Sequence, residues 1–358
     1  MEPLLQIRDI QASFPSAEGR LRALNGVSLD LYQGRIFGLI GETGSGKSVL
    51  GLSIPGLLPD SAEVSGSIRF KGQELLKLHR TRLRQLRGSE IAFIPQNPAT
   101  SLNPVLTIGY QLKEAIARHR SRSSRSGKSL TEQAAELLDS LHMPEPERKL
   151  RSYPFQLSGG MKQRVLAAIG MCGHPSLVIA DEPTKGLDAL VRAQTVEMMR
   201  SVVRQTGAAM LVITHDLHVA EALCDEIGVM YGGRIVEQGP VGELFRQPKH
   251  PYTQGLLGSM PGRGMVPIPG AAYNPADPGA GCAFVTRCRH RRAECESAVP
   301  ELYPVTDPGM STLAGTVGPA SADPVRSGFE AAATAKVRCF LYAPDSRTEQ
   351  DLPQRLAE

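Results

Sequence analysis

Eight residues constrain this chain more than any others. Residues 41–48 read GETGSGKS, a full match to the pattern G-x-x-x-x-G-K-[ST]. The apolar run RIFGLI stands before it and the helix-compatible VLGLSI after it. A strand, a glycine-rich loop and a helix in that order commit the chain to an α/β architecture. Glycine at Gly41, Gly44 and Gly46 lets the backbone wrap closely around a phosphate, with several N–H groups turned inward as an anion nest. The start of the following helix adds a favourable dipole. Lys47 is placed to neutralise β- and γ-phosphates, and the Ser48 hydroxyl to ligate Mg²⁺. Glu42, Thr43, Ser45 and Val49 complete the candidate nucleotide-binding positions of the loop and the first turn after it.

A second element belongs with the first. Residues 177–183 read LVIADEP: four apolar residues suit a buried strand, and Asp181 and Glu182 emerge at its C-terminal end, where open α/β sheets gather their ligands. Asp181 suits the Mg²⁺ shell, and Glu182 suits a base that polarises an attacking water. Strands are expected through residues 1–40, 64–72 and 90–95, and buried parallel strands at 177–181 and 209–214 with a helix over 190–205 between them. Residues 98–166 read as a mainly helical subdomain. After about residue 240 proline and glycine become frequent and periodicity fades, which marks an irregular extension. Residues 1–245 are therefore expected to form the nucleotide-binding domain, and 246–358 the extension.

The remaining composition narrows the classes. A net charge of +4 gives no reason to expect a nucleic-acid partner, and a hydrophobic content of 41% supports a real core. The N-terminus MEPLLQIRDI lacks the features of a signal peptide, and no apolar run reaches the length of a membrane span. A cytoplasmic protein is expected, one that reaches a membrane through a partner. Cys172 and Cys224 stand alone in apolar surroundings and read as inert core residues. The Ser- and Arg-rich segment 118–129 reads as a solvated loop, with contact to anionic lipid as the alternative. It contains a decoy: residues 126–129 spell SGKS, but no strand precedes them and Arg122 stands where the first glycine should be.

Residues 157–164, LSGGMKQR, carry a resemblance. They look like the signature sequence of ABC-type ATPases, a motif that other phosphate-loop families lack. Physically, Ser158, Gly159 and Gly160 lead into a helix and form a second phosphate-binding helix start. The family arrangement this implies is a head-to-tail dimer in which the segment closes the partner's ATP. Further positions follow in order. Gln96, in IPQNPATSLNP, resembles the Q-loop glutamine that links the Mg²⁺ site to the transmembrane partner. His215, in LVITHDL, resembles the switch histidine that contacts the γ-phosphate. Phe14 resembles the aromatic that stacks on adenine, where tyrosine is more usual. One departure is PTKGLDAL after the catalytic acid: Lys185 and Gly186 replace the small uncharged residues of many relatives, while Asp188 is retained. Lys185 either alters pairing with a partner subunit or has no effect.

IPQNPATSLNP, VMYGGRIVEQGP and KHPYTQGLLGSMP (249–261) resemble the peptide and nickel importer branch in particular. That resemblance implies an ATP-hydrolysing subunit that works with Mg²⁺, a second related ATPase subunit as heterodimer partner, two permeases and an extracytoplasmic binding protein. It would sit on the cytoplasmic face of the inner membrane and take up di- or oligopeptides. A nickel or metal-chelate cargo is the first alternative, and a soluble ABC ATPase without transport the second. A non-enzymatic regulatory subunit is disfavoured by the intact Lys47, Glu182 and His215. Four cysteines fall in the extension: Cys282, Cys288 and Cys295 in GCAFVTRCRHRRAEC, and Cys339 in VRCFLY. Four thiolates can hold a [4Fe–4S] cluster or a structural zinc ion, or stay free. The branch resemblance implies the cluster. Arg287, Arg289, Arg291 and Arg292 would then offset its charge or form a solvated basic loop. The long stretch before Cys339 makes it the least secure of the four.

Overall fold

The computed structural model describes residues 2–17, 19–119, 127–276, 279–305 and 335–343. Residues 120–126 of the basic segment, Arg122 and Ser126 of the decoy among them, lie outside the described residues. So does most of the stretch between the third and fourth extension cysteines, residues 306–334. The strands in chain order are β1 (Leu5–Ser16), β2 (Gly19–Leu31), β3 (Ile36–Ile40), β4 (Glu63–Phe70), β5 (Gln73–Glu74), β6 (Ile91–Ile94), β7 (Leu177–Asp181), β8 (Ala209–Ile213), β9 (Glu226–Tyr231), β10 (Arg234–Pro240), β11 (Tyr303–Pro304) and β12 (Lys336–Val337). They form two sheets, β2-β1-β4-β5 and β11-β12-β10-β9-β3-β8-β7-β6.

Five central strands of the larger sheet run parallel, from β6 through β7, β8 and β3 to β9. Every residue of β3, β7 and β8 is buried, which explains why these strands read as unbroken apolar runs without alternation. Successive residues still point to opposite faces. Ile36, Ile40, Val178, Ala180, Met210 and Val212 pack into the core on the helical side. Phe37, Leu39, Leu177, Ile179, Leu211 and Ile213 pack into the core shared with the smaller antiparallel sheet. Gly38 sits mid-strand because a Cβ there would lie 2.6 Å from the Cys224 sulfur. That sulfur is fully buried, in agreement with its reading as a core residue. The Cys172 thiol donates to the Ala168 carbonyl at 3.3 Å, and burial pushes its pKa up to about 12, so it is equally inert.

The region read as helical holds the helices Pro98–Ser101, Ile108–His119, Leu130–Ser140 and Pro146–Lys149, followed by Gly159–Met171. The end of the decoy has a structural use. The Ser129 hydroxyl accepts from Glu132 N–H at 3.2 Å, and the Glu132 carboxylate accepts from Ser129 N–H at 2.7 Å, a reciprocal cap on the helix Leu130–Ser140. The helix expected over 190–205 spans Ala189–Thr206, with Asp188 as its cap and Gly207 as its left-handed stop.

The extension joins the same core. It contributes the helix Pro251–Gly258, and β12 pairs antiparallel with β10 through Glu237–Val337, with β11 outside it. Tyr252, Leu257 and Phe284 are buried in the helical-side core. Tyr231 of β9, Tyr252 and Phe284 form an aromatic cluster with ring centres 4.5–5.4 Å apart. Aromatic burial at a few points, rather than periodic patterning, orders a segment so rich in proline and glycine.

Candidate nucleotide site

Four parallel strands deliver the predicted residues to one edge of the sheet. The phosphate loop follows β3, Thr214 and His215 follow β8, Asp181 ends β7 with Glu182 next after it, and Gln96 lies two residues beyond β6. These strands are neighbours in the order β3-β8-β7-β6, so residues far apart in sequence converge where ligands of open α/β sheets bind.

The loop's glycines are forced. Gly41, Gly44 and Gly46 have φ of 148°, 85° and 101°. A Cβ on Gly41 would lie 2.2 Å from the Met230 carbonyl oxygen, and one on Gly46 would lie 2.4 Å from that of Ala23. Lys47 is buried, and its ammonium donates to the carbonyls of Gly41 and Glu42, both at 2.8 Å, and to Ser45 Oγ at 3.2 Å. Burial holds its pKa below the usual lysine range, against the pull of Glu182, Asp181 and Glu42. Asp181 is buried too, and burial raises its carboxyl pKa although the Ser48 hydroxyl donates to it. Its Oδ1 is buried without a hydrogen-bond partner. An unsatisfied carboxylate oxygen beside the Ser48 hydroxyl fits the ligand set of a hard divalent cation.

Glu182 is 8% exposed and takes the left-handed conformation, φ 48°. Its Oε1 accepts from His215 Nδ1 at 2.7 Å and from His215 N–H at 3.1 Å, and its Oε2 accepts from the Thr214 hydroxyl at 3.4 Å. The two residues expected to act on water and γ-phosphate are therefore bonded to each other.

Among the described residues the other predicted positions make no hydrogen bond to the phosphate loop. Gln96 is exposed. Phe14 is half-buried on β1 opposite Leu21. Ser158 caps the helix Gly159–Met171 by accepting from Met161 N–H at 3.3 Å. Among the described residues no hydrogen bond joins Ser158, Gly159 or Gly160 to the phosphate loop. Gly160 instead faces Val191, where a Cβ would lie 2.3 Å from a methyl group, and Gly159 faces Leu187. Lys185 is exposed, and its charge favours ionised Asp181.

Two contacts lay beyond the sequence reading. The Glu42 carboxylate accepts from Arg287 Nη1 at 2.9 and 3.1 Å, and Glu42 N–H donates to the Tyr252 hydroxyl at 2.9 Å. Arg287 therefore turns to the phosphate loop, which corrects the expectation that it faces the thiols or solvent. Its charge is stabilised by a carboxylate at close range. Of the other basic residues, Arg289 and Arg338 act on the thiols, favouring ionised Cys288 and Cys282 respectively.

All four extension cysteines line one small pocket, with Phe284, His250 and Arg292. Cys339, the least secure from sequence, is in this set. Burial pushes the thiol pKa of Cys282 up to about 11 and of Cys339 to about 12, and raises that of Cys288. Among the described residues no group of three or more His, Cys, Asp or Glu is arranged to hold a metal.

Comparison with known proteins agrees with this geometry. Residues 24–185 match the ABC transporter family, and residues 236–295 match the oligopeptide/dipeptide transporter C-terminal region. The chain is 41% identical over 307 residues to the dipeptide transport ATP-binding protein DppD of Bacillus subtilis, covering 84% of this chain and 91% of that protein. It is 38% identical to the oligopeptide transport ATP-binding protein OppD of Escherichia coli, covering 84% and 89%. Among solved structures it is similar to a dimeric ATP-binding cassette in a post-hydrolysis state with ADP and phosphate. The TM-score there is 0.59 at 25% identity, over 66% of this chain and 98% of that one. The chain belongs to the ATP-binding subunits of ABC transporters, in the branch that carries the oligopeptide/dipeptide transporter C-terminal region, and is an ATPase of that family.

Proposed function

We propose that this chain powers the uptake of di- or oligopeptides as one of two related ATPase subunits, with two permeases and an extracytoplasmic binding protein, at the cytoplasmic face of the inner membrane. The observation that carries the reading is the presence, in one chain, of the converged nucleotide site and the C-terminal region named for peptide transporters. Among the described residues no helix is long and apolar enough to cross a membrane, so permeases would supply the pathway. Nickel or a metal chelate is the rival cargo.

The site supports the following chemistry. ATP lies in the phosphate loop with its β- and γ-phosphates at Lys47, and Phe14 offers a ring face to the base. Ser48 and Asp181, with Gln96 as the further candidate ligand, would hold Mg²⁺, which would neutralise charge on the β- and γ-phosphates. Ser158, Gly159 and Gly160 make no hydrogen bond to their own loop among the described residues and would close the nucleotide of the partner subunit. His215 turns from Glu182 to the γ-phosphate, which frees Glu182 Oε1 to orient water and accept its proton. Hydrolysis then reopens the dimer and resets the permeases near Gln96.

The four cysteines are proposed to hold a [4Fe–4S] cluster, with zinc as the alternative. What supports this is that all four line one pocket, so one thiolate could be offered to each iron. Such a group would cross-link the loops holding Cys282, Cys288 and Cys295 to the distant Cys339.

Affinity purification of the chain from native membranes under anaerobic conditions tests the assembly. Two multi-span permeases, a second ATPase and a peptide-binding protein are the expected companions. A soluble companion set without permeases would overturn the transport reading, and a nickel-binding protein would overturn the cargo. Purified protein should carry about four irons and a visible absorption band; stoichiometric zinc or no metal would remove the cluster.

A further inference from the structure

We propose that the C-terminal extension sets the nucleotide affinity of this subunit through two positioning residues, Arg287 and Tyr252, that fix Glu42 of the phosphate loop. All three polar groups of Glu42 are engaged. Its N–H donates to the Tyr252 hydroxyl at 2.9 Å, its carboxylate accepts from Arg287 at 2.9 and 3.1 Å, and its carbonyl accepts from the Lys47 ammonium at 2.8 Å. Two of these partners come from the extension. The third is the cation that meets the phosphates.

The bracing is itself rigid. The Arg287 side chain is 6% exposed. Beyond Glu42, its guanidinium donates to the Tyr231 hydroxyl at 3.3 Å and to the carbonyls of Pro269 and Ile268 at 3.1 and 3.3 Å. It also lies over the Tyr231 and Phe284 rings, 5.9 Å from each ring centre. Tyr252 is fully buried between the same rings. Tyr231 ends β9, the neighbour of β3, so the brace reaches the loop across adjacent strand ends.

The geometry has a direct consequence for the loop. The carbonyls of Gly41 and Glu42 both accept from Lys47, and the bond from Glu42 N–H to the Tyr252 hydroxyl restrains the peptide group that carries the Gly41 carbonyl. On the other side the backbone of Met230 lies close to Gly41: a Cβ there would come within 2.2 Å of the Met230 carbonyl oxygen, which limits how far the loop can shift as a body. If the extension lets go of Glu42, those carbonyls are free to turn, and Lys47 loses the position from which it meets the nucleotide. Binding would weaken, since a loop that samples several conformations must be ordered by its ligand.

The test uses the full chain with its partners in place and reads ATP affinity separately from turnover. Arg287→Met should raise the Kd and KM for ATP by roughly tenfold, the usual size of coupling between sites. Turnover at saturating ATP should change far less. Arg287→Lys should restore part of the affinity by keeping a cation opposite Glu42. The double variant Glu42→Gln with Arg287→Met should bind no worse than Arg287→Met alone, because both changes remove one contact. Tyr252→Phe deletes a single acceptor while keeping the buried ring, and should weaken ATP by a few-fold; it serves where Arg287→Met fails to fold. Unchanged ATP affinity in a folded Arg287→Met or Tyr252→Phe variant, whatever its melting temperature, would overturn the proposal and leave these contacts as anchors of the extension alone.

Discussion

Replacing Glu182 with glutamine isolates the chemical step. The side chain keeps its shape, and its Oε1 can still accept from His215 N–H, now at 3.1 Å from the carboxylate. It loses the ability to take a proton from water. General-base catalysis contributes about 10²- to 10⁴-fold, and each decade is about 1.4 kcal/mol, so the barrier should rise by roughly 3–5 kcal/mol. The fold should hardly respond. Glu182 is a like charge beside Asp181 and one cause of its raised pKa, so removing it relieves a repulsion while weakening the bond to His215 Nδ1. Those effects oppose, and the net change in stability should stay within about 1 kcal/mol. Phosphate release at saturating Mg-ATP measures the loss, and equilibrium binding of a fluorescent ATP analogue measures what is kept. The expected variant binds ATP as well as the parent and turns over at least a hundredfold more slowly. Phosphate release within about threefold of the parent would refute the assignment of Glu182 as base and leave His215 as the next candidate.

Asp181→Asn removes the charge from the unpartnered buried oxygen, so the Mg²⁺ concentration for half-maximal hydrolysis should rise by roughly tenfold or more, and an unchanged Mg²⁺ curve contradicts the ligand assignment. Gly41→Ala puts a methyl group 2.2 Å from the Met230 carbonyl oxygen at a φ of 148°; about 2 kcal/mol or more of stability and most ATP binding should be lost, and an unaltered melting temperature would show that the loop can yield. His250 is buried and its pKa is pushed down to about 3, so the unfolded chain protonates it first, near pH 6.5. Its contribution to stability is therefore complete above that pH and falls by about 1.4 kcal/mol per unit as pH drops toward 3. Glu237, which accepts from His250 N–H, has its pKa raised by burial; its contribution has the opposite sign, being fully present below the unfolded pKa near 4.5 and lost as pH rises from there through the folded pKa. His250→Asn keeps an acceptor for Tyr252 N–H and removes the titration, so the melting temperature between pH 6.5 and 5 should fall less steeply than in the parent; parallel slopes would mean that His250 is not buried neutral.

The sequence made the nucleotide edge legible because its physics is local. A strand buried on both faces must be a continuous apolar run, and a loop that folds around phosphate must place glycines where φ is positive. Both leave marks within a dozen residues, as RIFGLI and GETGSGKS do. The convergence of Asp181, Glu182 and His215 on that loop followed from their places at strand ends. The pairing of Glu182 with His215 did not, since 33 residues separate them and only the register of β7 beside β8 sets their distance. The extension was harder. Arg287 is one of four arginines between residues 287 and 292, and nothing in the local sequence distinguishes the one that turns to the phosphate loop from the other three. Its partner Glu42 lies 245 residues earlier. Its burial depends on Tyr231, Tyr252 and Phe284 meeting from three separate segments, a coincidence of packing with no periodic signature.

These contacts divide the site into a side that can move and a side that cannot. At the ends of β7 and β8, Glu182 is held by a half-exposed histidine ring through one side-chain bond. That bond can exchange for water or phosphate at little desolvation cost, as a switch requires. At the ends of β3 and β9, Glu42 is held by a buried arginine that makes two bonds to it and by a buried tyrosine hydroxyl. Releasing that carboxylate would leave a buried guanidinium without its counter-charge, a larger penalty. Nucleotide-dependent motion should therefore start at His215 and pass toward Gln96 across the neighbouring strand ends, with the phosphate loop as its fixed reference. An extension packed against that loop then has a physical role apart from any motion of its own: it keeps one wall of the site still while the other responds to the γ-phosphate.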